Sequence, residues 1–222
     1  MNVKLLSHSQ PTPEFAELGI HDAQELIAYC ARVSNPSNQL NTETSEKLIR
    51  YLIKHQHWSP LEMVSACLEI TTTRDIARQI LRHRSFSFQE FSQRYADPTK
   101  DLSFVLRAAR LQDTKNRQNS IETNDEDLAL WWDSAQQEII DLARKHYTRA
   151  IELGIAKEQA RAILPEGNTV SRLYMNGTLR SWIHFIELRS ANGTQREHQE
   201  VAVACAQVIA QIFPMADDLV EQ

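Results

Sequence analysis

The sequence predicts a single α+β domain over residues 1–222, with a mostly antiparallel sheet packed against several helices, one of them long. Three observations carry that prediction. Apolar residues repeat with helical period in some stretches and with strand period in others, without the regular alternation of a doubly wound sheet. The composition, 42% hydrophobic and 24% charged, is that of an ordinary globular chain, and 222 residues suffice to bury a core without staples. No Gly- or Pro-rich linker, low-complexity tract or internal repeat divides the chain.

Met1 to Ser7 reads as a short first strand, and Pro11-Thr12-Pro13 as a turn. From about Asp22, Ala23, Leu26, Ile27, Cys30 and Ala31 share one helical face, which the segment NPSN at 35–38 ends. Leu48, Ile49, Leu52 and Ile53 mark a second helix from about Thr42 to the break at Ser59-Pro60. Val64, Ala66, Leu68 and Ile70 alternate with polar neighbours as a strand with one buried face does. Thr72 or Thr73 can cap the next helix, with Ile76, Ala77, Ile80 and Leu81 inward and Arg74, Arg78 and Arg82 on the other side.

Residues 85–110 read as turn and strand, and 113–127 as a polar loop. A long helix follows, its stripe running through Leu128, Trp131, Trp132, Ala135, Ile139, Leu142, Ala143, Tyr147 and Ala150 to a stop at Gly154. A shorter helix, Lys157–Leu164, stops at Pro165. Thr169 to Met175 reads as a strand closed by the turn dipeptide Asn176-Gly177, after which Thr178 caps a helix to about Arg189. Thr194-Gln-Arg-Glu197 has the form of a capping box opening a last helix through Val201, Cys205, Val208 and Ile212 to Pro214.

Several function classes are disfavoured. The three cysteines, Cys30, Cys67 and Cys205, are odd in number and far apart, so neither a disulfide framework nor a zinc site is indicated. The N-terminus lacks the apolar run of a signal peptide, and Val201–Phe213, broken by Gln207 and Gln211, is shorter than the ~20 residues a membrane helix needs. A cytoplasmic protein without membrane partners is the expectation. With 24 basic against 29 acidic residues the chain has a net charge of -5, which argues against a general nucleic-acid surface.

Against that acidic background, residues 74–95 form a basic island with Arg74, Arg78, Arg82, Arg84, Arg94 and His83 against Asp75 and Glu90. Guanidinium groups bind phosphate and imide oxygens bidentately, and several aimed at one pocket repel one another unless an anion joins them. For Arg74 and Arg78 alone a solvated helix face is an equal alternative. From 82 onward, Arg, His and Ser interleave with Phe86, Phe88 and Phe91, a mixture that also suits stacking on single-stranded bases.

Residues 82–94 read R-H-R-x-x-S-x-x-x-x-S-x-R, with Arg82, His83, Arg84, Ser87, Ser92 and Arg94 in the fixed places. This resembles the signature of the flavin-dependent thymidylate synthases. ARVS at 31–34, YLIKHQHWSPLE at 51–62, IARQILRHR at 76–84, ARAILP at 160–165 and LRSWIHFIELR at 179–189 are similar to family segments in the same order. The loop at about 111–127 matches nothing in the family. After Arg189 the segment SANGTQREHQE departs from members that carry a histidine where Gly193 stands, so a flavin contact made by that histidine is not carried over.

The resemblance implies reductive methylation of deoxyuridine monophosphate (dUMP) to thymidylate (dTMP). Methylenetetrahydrofolate would donate the carbon, and NADPH the electrons through FAD. It assigns Gln79, Arg82, Glu90, Ser92, Arg94, Arg161 and Arg189 to dUMP, with Arg189 activating the uracil. To FAD it assigns Ser59, Arg82, His83, Arg84, Glu90, Arg180 and His184, with the backbone near Thr178 and Leu179; His57 matches a further histidine near the flavin. It also implies a homotetramer with active sites between subunits, and no thiolate nucleophile. Without the resemblance, Arg189 reads as a surface arginine ending a helix, where the dipole favours cations, and His57 and His184 as half-buried histidines. Two runners-up remain open: a flavoprotein methylating uracil in another context such as RNA, and a non-enzymatic nucleotide- or RNA-binding module.

Overall fold

The computed structural model describes residues 1–219. Strands β1 (Asn2–His8), β2 (Ser65–Thr73), β6 (Val170–Thr178) and β3 (Ser87–Glu90) form a sheet in the order β1-β2-β6-β3. Every pairing in it is antiparallel. Alternation puts Ala66, Leu68 and Ile70 of β2 and Leu173 and Met175 of β6 on one buried face. The register that pairs Leu68 with Met175, and Met175 in turn with Phe88, makes these residues one contiguous apolar row.

Helices α2 (Ala23–Ala31), α3 (Ser45–Lys54), α4 (Arg74–Ile80), α8 (Leu179–Ser190) and α9 (Arg196–Ile209) contribute to the main core with that row. Trp182 of α8, wholly buried, donates its indole N–H to the carbonyl of Ala66 at 3.0 Å and so bolts α8 to the sheet. A smaller cluster, Tyr147, Ala160 and Leu164, ties α6 (Glu126–Glu152) to α7 (Lys157–Ala160). Asp22, Asp125 and Thr178 each accept a backbone N–H at the start of α2, α6 and α8, and Gly154 stops α6 at φ 82°.

Several local expectations give way to long-range contacts. Pro11-Thr12-Pro13 is no plain turn: Pro13 opens α1 (Pro13–Glu17), where its missing N–H costs nothing. The polar loop at 113–127 contains β5 (Ser120–Glu122), which pairs with β4 (Arg110–Gln112) as a hairpin. Between β3 and β4 lies a short helix, α5 (Pro98–Asp101). The last helical turn of Lys157–Leu164 tightens into a 3-10 turn at Arg161–Ile163.

Asn176-Gly177 is not a turn either. Both residues lie inside β6, which runs straight into α8, and a Cβ on Gly177 would sit 2.4 Å from the Phe86 ring. The glycine is there for close approach. The Thr194–Glu197 capping box does not form: Gln195 is the N-cap of α9, Thr194 donates to the Leu188 carbonyl, and Glu197 is engaged by Arg110. Thr73 holds the N-cap position of α4, but its hydroxyl donates to Asp75 and accepts from Arg107 rather than capping. Arg74, expected on the solvent side, is 9% exposed.

Candidate active site

Two helices organise the residues that the sequence singled out. Helix α8 carries Arg180 and His184 near its start and Arg189 near its end, a separation of ~13 Å at 1.5 Å per residue. Helix α4 carries Arg74 at its start and Gln79 near its end, and the chain leaves it through Arg82, His83 and Arg84.

The two helices meet where they end. Arg189 donates from Nε to Nε2 of His83 at 2.9 Å, so His83 is neutral there and keeps its proton on Nδ1. Burial, and then the Arg189 charge, push the His83 pKa down to about 4. The Arg189 pKa is itself lowered, by burial first and then by the charge of Arg82. Because His83 takes only Nε, both terminal nitrogens of Arg189 are left to face a ligand. Two like charges held together in a partly desolvated corner favour an anion between them. Gln79 stands in the same corner, bonded to Gln195 at 2.8 Å and to His198 at 3.2 Å.

Phenylalanine rings hold this corner in place. Phe86, almost fully buried, packs over Gly177 and meets Trp182 edge-on at a centroid distance of 4.8 Å, while Phe185 meets the His83 ring at 5.0 Å. Phe88 packs against the main core from β3. These rings anchor the Arg-His-Arg turn, and two of the island's three phenylalanines, Phe86 and Phe88, are engaged in the core rather than offered to bases.

A second station lies at the other end of α8. Ser59 opens the 3-10 turn Ser59–Glu62, Arg180 is paired with Glu62, and His184 packs on Trp58 at 4.5 Å. His57 and His184 are exposed, not half-buried. Arg84 is exposed and forms no ion pair among the described residues. This station therefore offers hydroxyl, imidazole and guanidinium groups along an open face.

The third station lies beside the N-terminus of α4, where a cleft of about 310 Å³ is lined by Arg74, Arg78, Gln93, Arg161, Ala162, Leu164 and Glu166. Glu90 accepts from the Ser171 hydroxyl at 2.8 Å and stands 3.7 Å from Arg74; Arg78 pairs with Glu166 at 3.1 Å. Two buried donors here, Nη1 of Arg74 and Nε2 of Gln93, have no hydrogen-bond partner among the described residues. Orphaned buried donors are destabilising, and the three arginines that line the cleft suit it to an anion. Residue type alone does not single out Gln93 and leaves Arg74 as open as a solvated face; burial, which sequence does not show, is the signal. Arg94 reaches away to Glu158 at 3.3 Å, and Ser92 accepts from the Arg94 backbone N–H.

Burial pushes the thiols of Cys30, Cys67 and Cys205 up, which disfavours the thiolate form of each. Among the described residues no helix is long and apolar enough to cross a membrane, and no group of His, Cys, Asp and Glu could hold a metal ion.

The chain has relatives among known proteins. A family model described as thymidylate synthase complementing protein matches residues 18–215. The probable flavin-dependent thymidylate synthase of Paramecium bursaria Chlorella virus 1 is 50% identical over 214 residues, 96% of each chain. The flavin-dependent thymidylate synthase of Synechocystis sp. is 52% identical over 189 residues, 85% of each chain. Among solved structures, a UMP/dUMP methylase, PolB, from Streptomyces cacaoi bound with 5-Br dUMP superposes with a TM-score of 0.80 at 25% identity, covering 98% of this chain and 93% of that one.

Proposed function

The chain belongs to the flavin-dependent thymidylate synthase family, and we propose that it methylates dUMP reductively to dTMP, with methylenetetrahydrofolate as carbon donor and NADPH as reductant. The observation that carries this reading is the α4–α8 corner, where the positive charge of Arg82 bears on Arg189 and Arg189 donates to a neutral His83. There Arg189 stabilises the negative charge that develops on the uracil as N3 loses its proton. His83 orients it by occupying Nε. Gln79, Arg82, Glu90, Ser92, Arg94 and Arg161 hold the nucleotide, Arg94 leaving Glu158 to do so and Glu90 standing 3.7 Å from Arg74 beside the cleft that Arg161 lines.

The donor set also fits an anionic dinucleotide. Ser59, Arg82, His83, Arg84, Glu90, Arg180 and His184 would hold FAD, the arginines suiting the pyrophosphate and the imidazoles the ring edge. When bound, FAD supplies the hydride, taken from the reduced nicotinamide, that completes the methyl group. The stations lie along an open surface, which supports active sites closed by neighbouring subunits of a homotetramer; the exposed Trp131, Ile139 and Leu142 of α6 support such an assembly. A cytoplasmic location fits three free cysteines, Cys205 buried and Cys30 and Cys67 half-buried.

The test is an anaerobic assay of the FAD-loaded protein with dUMP, NADPH and methylenetetrahydrofolate. Formation of dTMP is the expected result. A protein that takes up no flavin, or a loaded one that forms no dTMP, would overturn the reading. UMP belongs in the same assay, because the PolB structure is that of an enzyme acting on both nucleotides.

A further inference from the structure

Behind the α4–α8 corner runs a chain of side chains of which the assignments above use only Gln79. We propose that Glu197 is a positioning residue: through Gln195 it fixes which way the Gln79 amide faces and which ring nitrogen of His198 carries the proton, and so presents Gln79 to the nucleotide in one orientation. The inference rests on the reading of Gln79 as a nucleotide-binding residue.

The argument starts from a charge. Burial works against ionising Glu197, but hydrogen bonds from its own backbone N–H, from Arg110 and from Gln195, with the charge of Arg107, hold its pKa below the usual carboxylate value. An ionised carboxylate can only accept. The group of Gln195 that meets Oε2 of Glu197, at 2.9 Å, is therefore its NH2, which turns its Oε1 toward Gln79. Gln79 must answer with its own NH2, at 2.8 Å, and so presents its Oε1 to His198. His198 must then donate from Nδ1, at 3.2 Å, and is left with a bare lone pair on Nε2. Reversing any one link would set two acceptors or two donors face to face, so one anion dictates the sense of three groups in series.

His198 shows that the chain has a cost. The residue is 0% exposed, its Nε2 has no hydrogen-bond partner among the described residues, and burial, followed by the charge of Arg189, pushes its pKa down to about 3. A buried acceptor without a partner is destabilising, and an apolar side chain would fill the same space among Phe185 and its neighbours without that defect. What the imidazole adds is the Nδ1 donor that ends the chain.

The other end of the network grips the start of the same helix. Arg107 reaches both Asp75 at 2.6 Å and Glu197 at 3.8 Å, so α4 is held near Asp75 and near Gln79 by charges converging on one arginine–carboxylate pair. Gln79 then has one N–H and one lone pair left at fixed positions, one turn before Arg82. A flipped amide would exchange them.

Histidine-labelled, FAD-loaded protein tests this by ring nitrogen and carbon NMR, with the His198 signal identified by its loss in His198→Phe. In the wild type His198 should be the neutral Nδ1–H tautomer; finding the Nε2–H tautomer overturns the proposal and needs no variant. In Glu197→Gln the new amide will turn its oxygen to Arg110 and its NH2 to Gln195. Every link then reverses, the His198 proton moves to Nε2, and KM for dUMP rises about 10-fold, the scale of one misplaced hydrogen bond, with kcat less affected. Glu200→Gln, which changes a neighbouring carboxylate paired with Arg196, should leave tautomer and KM alone. An unmoved tautomer, or an unmoved KM, in Glu197→Gln would also overturn the proposal. The NMR result does not depend on turnover. The expected tautomers without dTMP formation would retain the relay and reject the enzyme reading, and dTMP formation with the wrong tautomer would do the reverse.

Discussion

Helices α8 and α6 are both amphipathic, yet they serve the molecule in opposite ways. In α8, Leu179, Trp182, Ile183, Phe185 and Ile186 are buried against the sheet and α9, and the polar residues between them point to the two ends of the site. In α6, Trp131, Ile139 and Leu142 of the apolar stripe are 63%, 53% and 51% exposed, while the buried row is Gln136, Ile140, Ala143 and Tyr147. Ala143 and Tyr147 of the stripe turn inward, and Gln136, a polar residue off the stripe, turns inward with them. Its amide clasps the backbone of Arg107 from both sides at 2.9 Å and accepts from Asn168. Periodicity thus reports that a helix has an apolar face, and only packing reports what covers it.

The sharpest way to break this contrast is to remove the bolt of α8. Trp182→Ala should cost about 3–5 kcal/mol, because it opens a cavity in the main core and deletes the bond to the Ala66 carbonyl. An unchanged denaturation midpoint would show that α8 is not the anchor. Next in size is Arg189→Ala, which should lower kcat about 10²- to 10³-fold while the fold and bound FAD persist, since the loss falls on transition-state charge. Wild-type turnover in that variant would reject the role given to Arg189.

Acidification separates the same two regions more gently. His83 and His198 have folded pKa values near 4 and 3, below the ordinary 6.5. Between those limits the unfolded chain binds more protons, so stability rises with pH. The α8 contact should therefore be fully present above about pH 6.5 and weaken as pH falls toward 3, with a shallower slope in His198→Phe. Equal slopes in urea melts of the two proteins across that range would contradict it. The smallest effect on the folded chain is expected on α6, where Trp131→Ser should change folding stability by no more than ~0.5 kcal/mol. Combined with Ile139→Ser and Leu142→Ser it should instead shift the assembly to smaller species in sedimentation; an intact assembly would mean that this face covers nothing.

The sequence alone determined the family, through Arg82, His83, Arg84, Ser87, Ser92 and Arg94 in register, and the stretches where chemistry is local. Asp22 and Thr178 cap because each needs only the N–H three residues on, and β2 alternates because one face meets water less than the other. What tertiary structure decided are the places where a distant partner outbids a near one. Gly177 lies within a strand because the Phe86 ring lies over it, Glu197 abandons its capping box for Arg110, and Arg74 is drawn inside toward Glu90. The physical reason is common to all three. A local signal offers a hydrogen bond or a turn of modest worth, whereas a core ring or a charge partner removes a larger burial or desolvation penalty, and sequence spacing carries no record of which partner folding will bring.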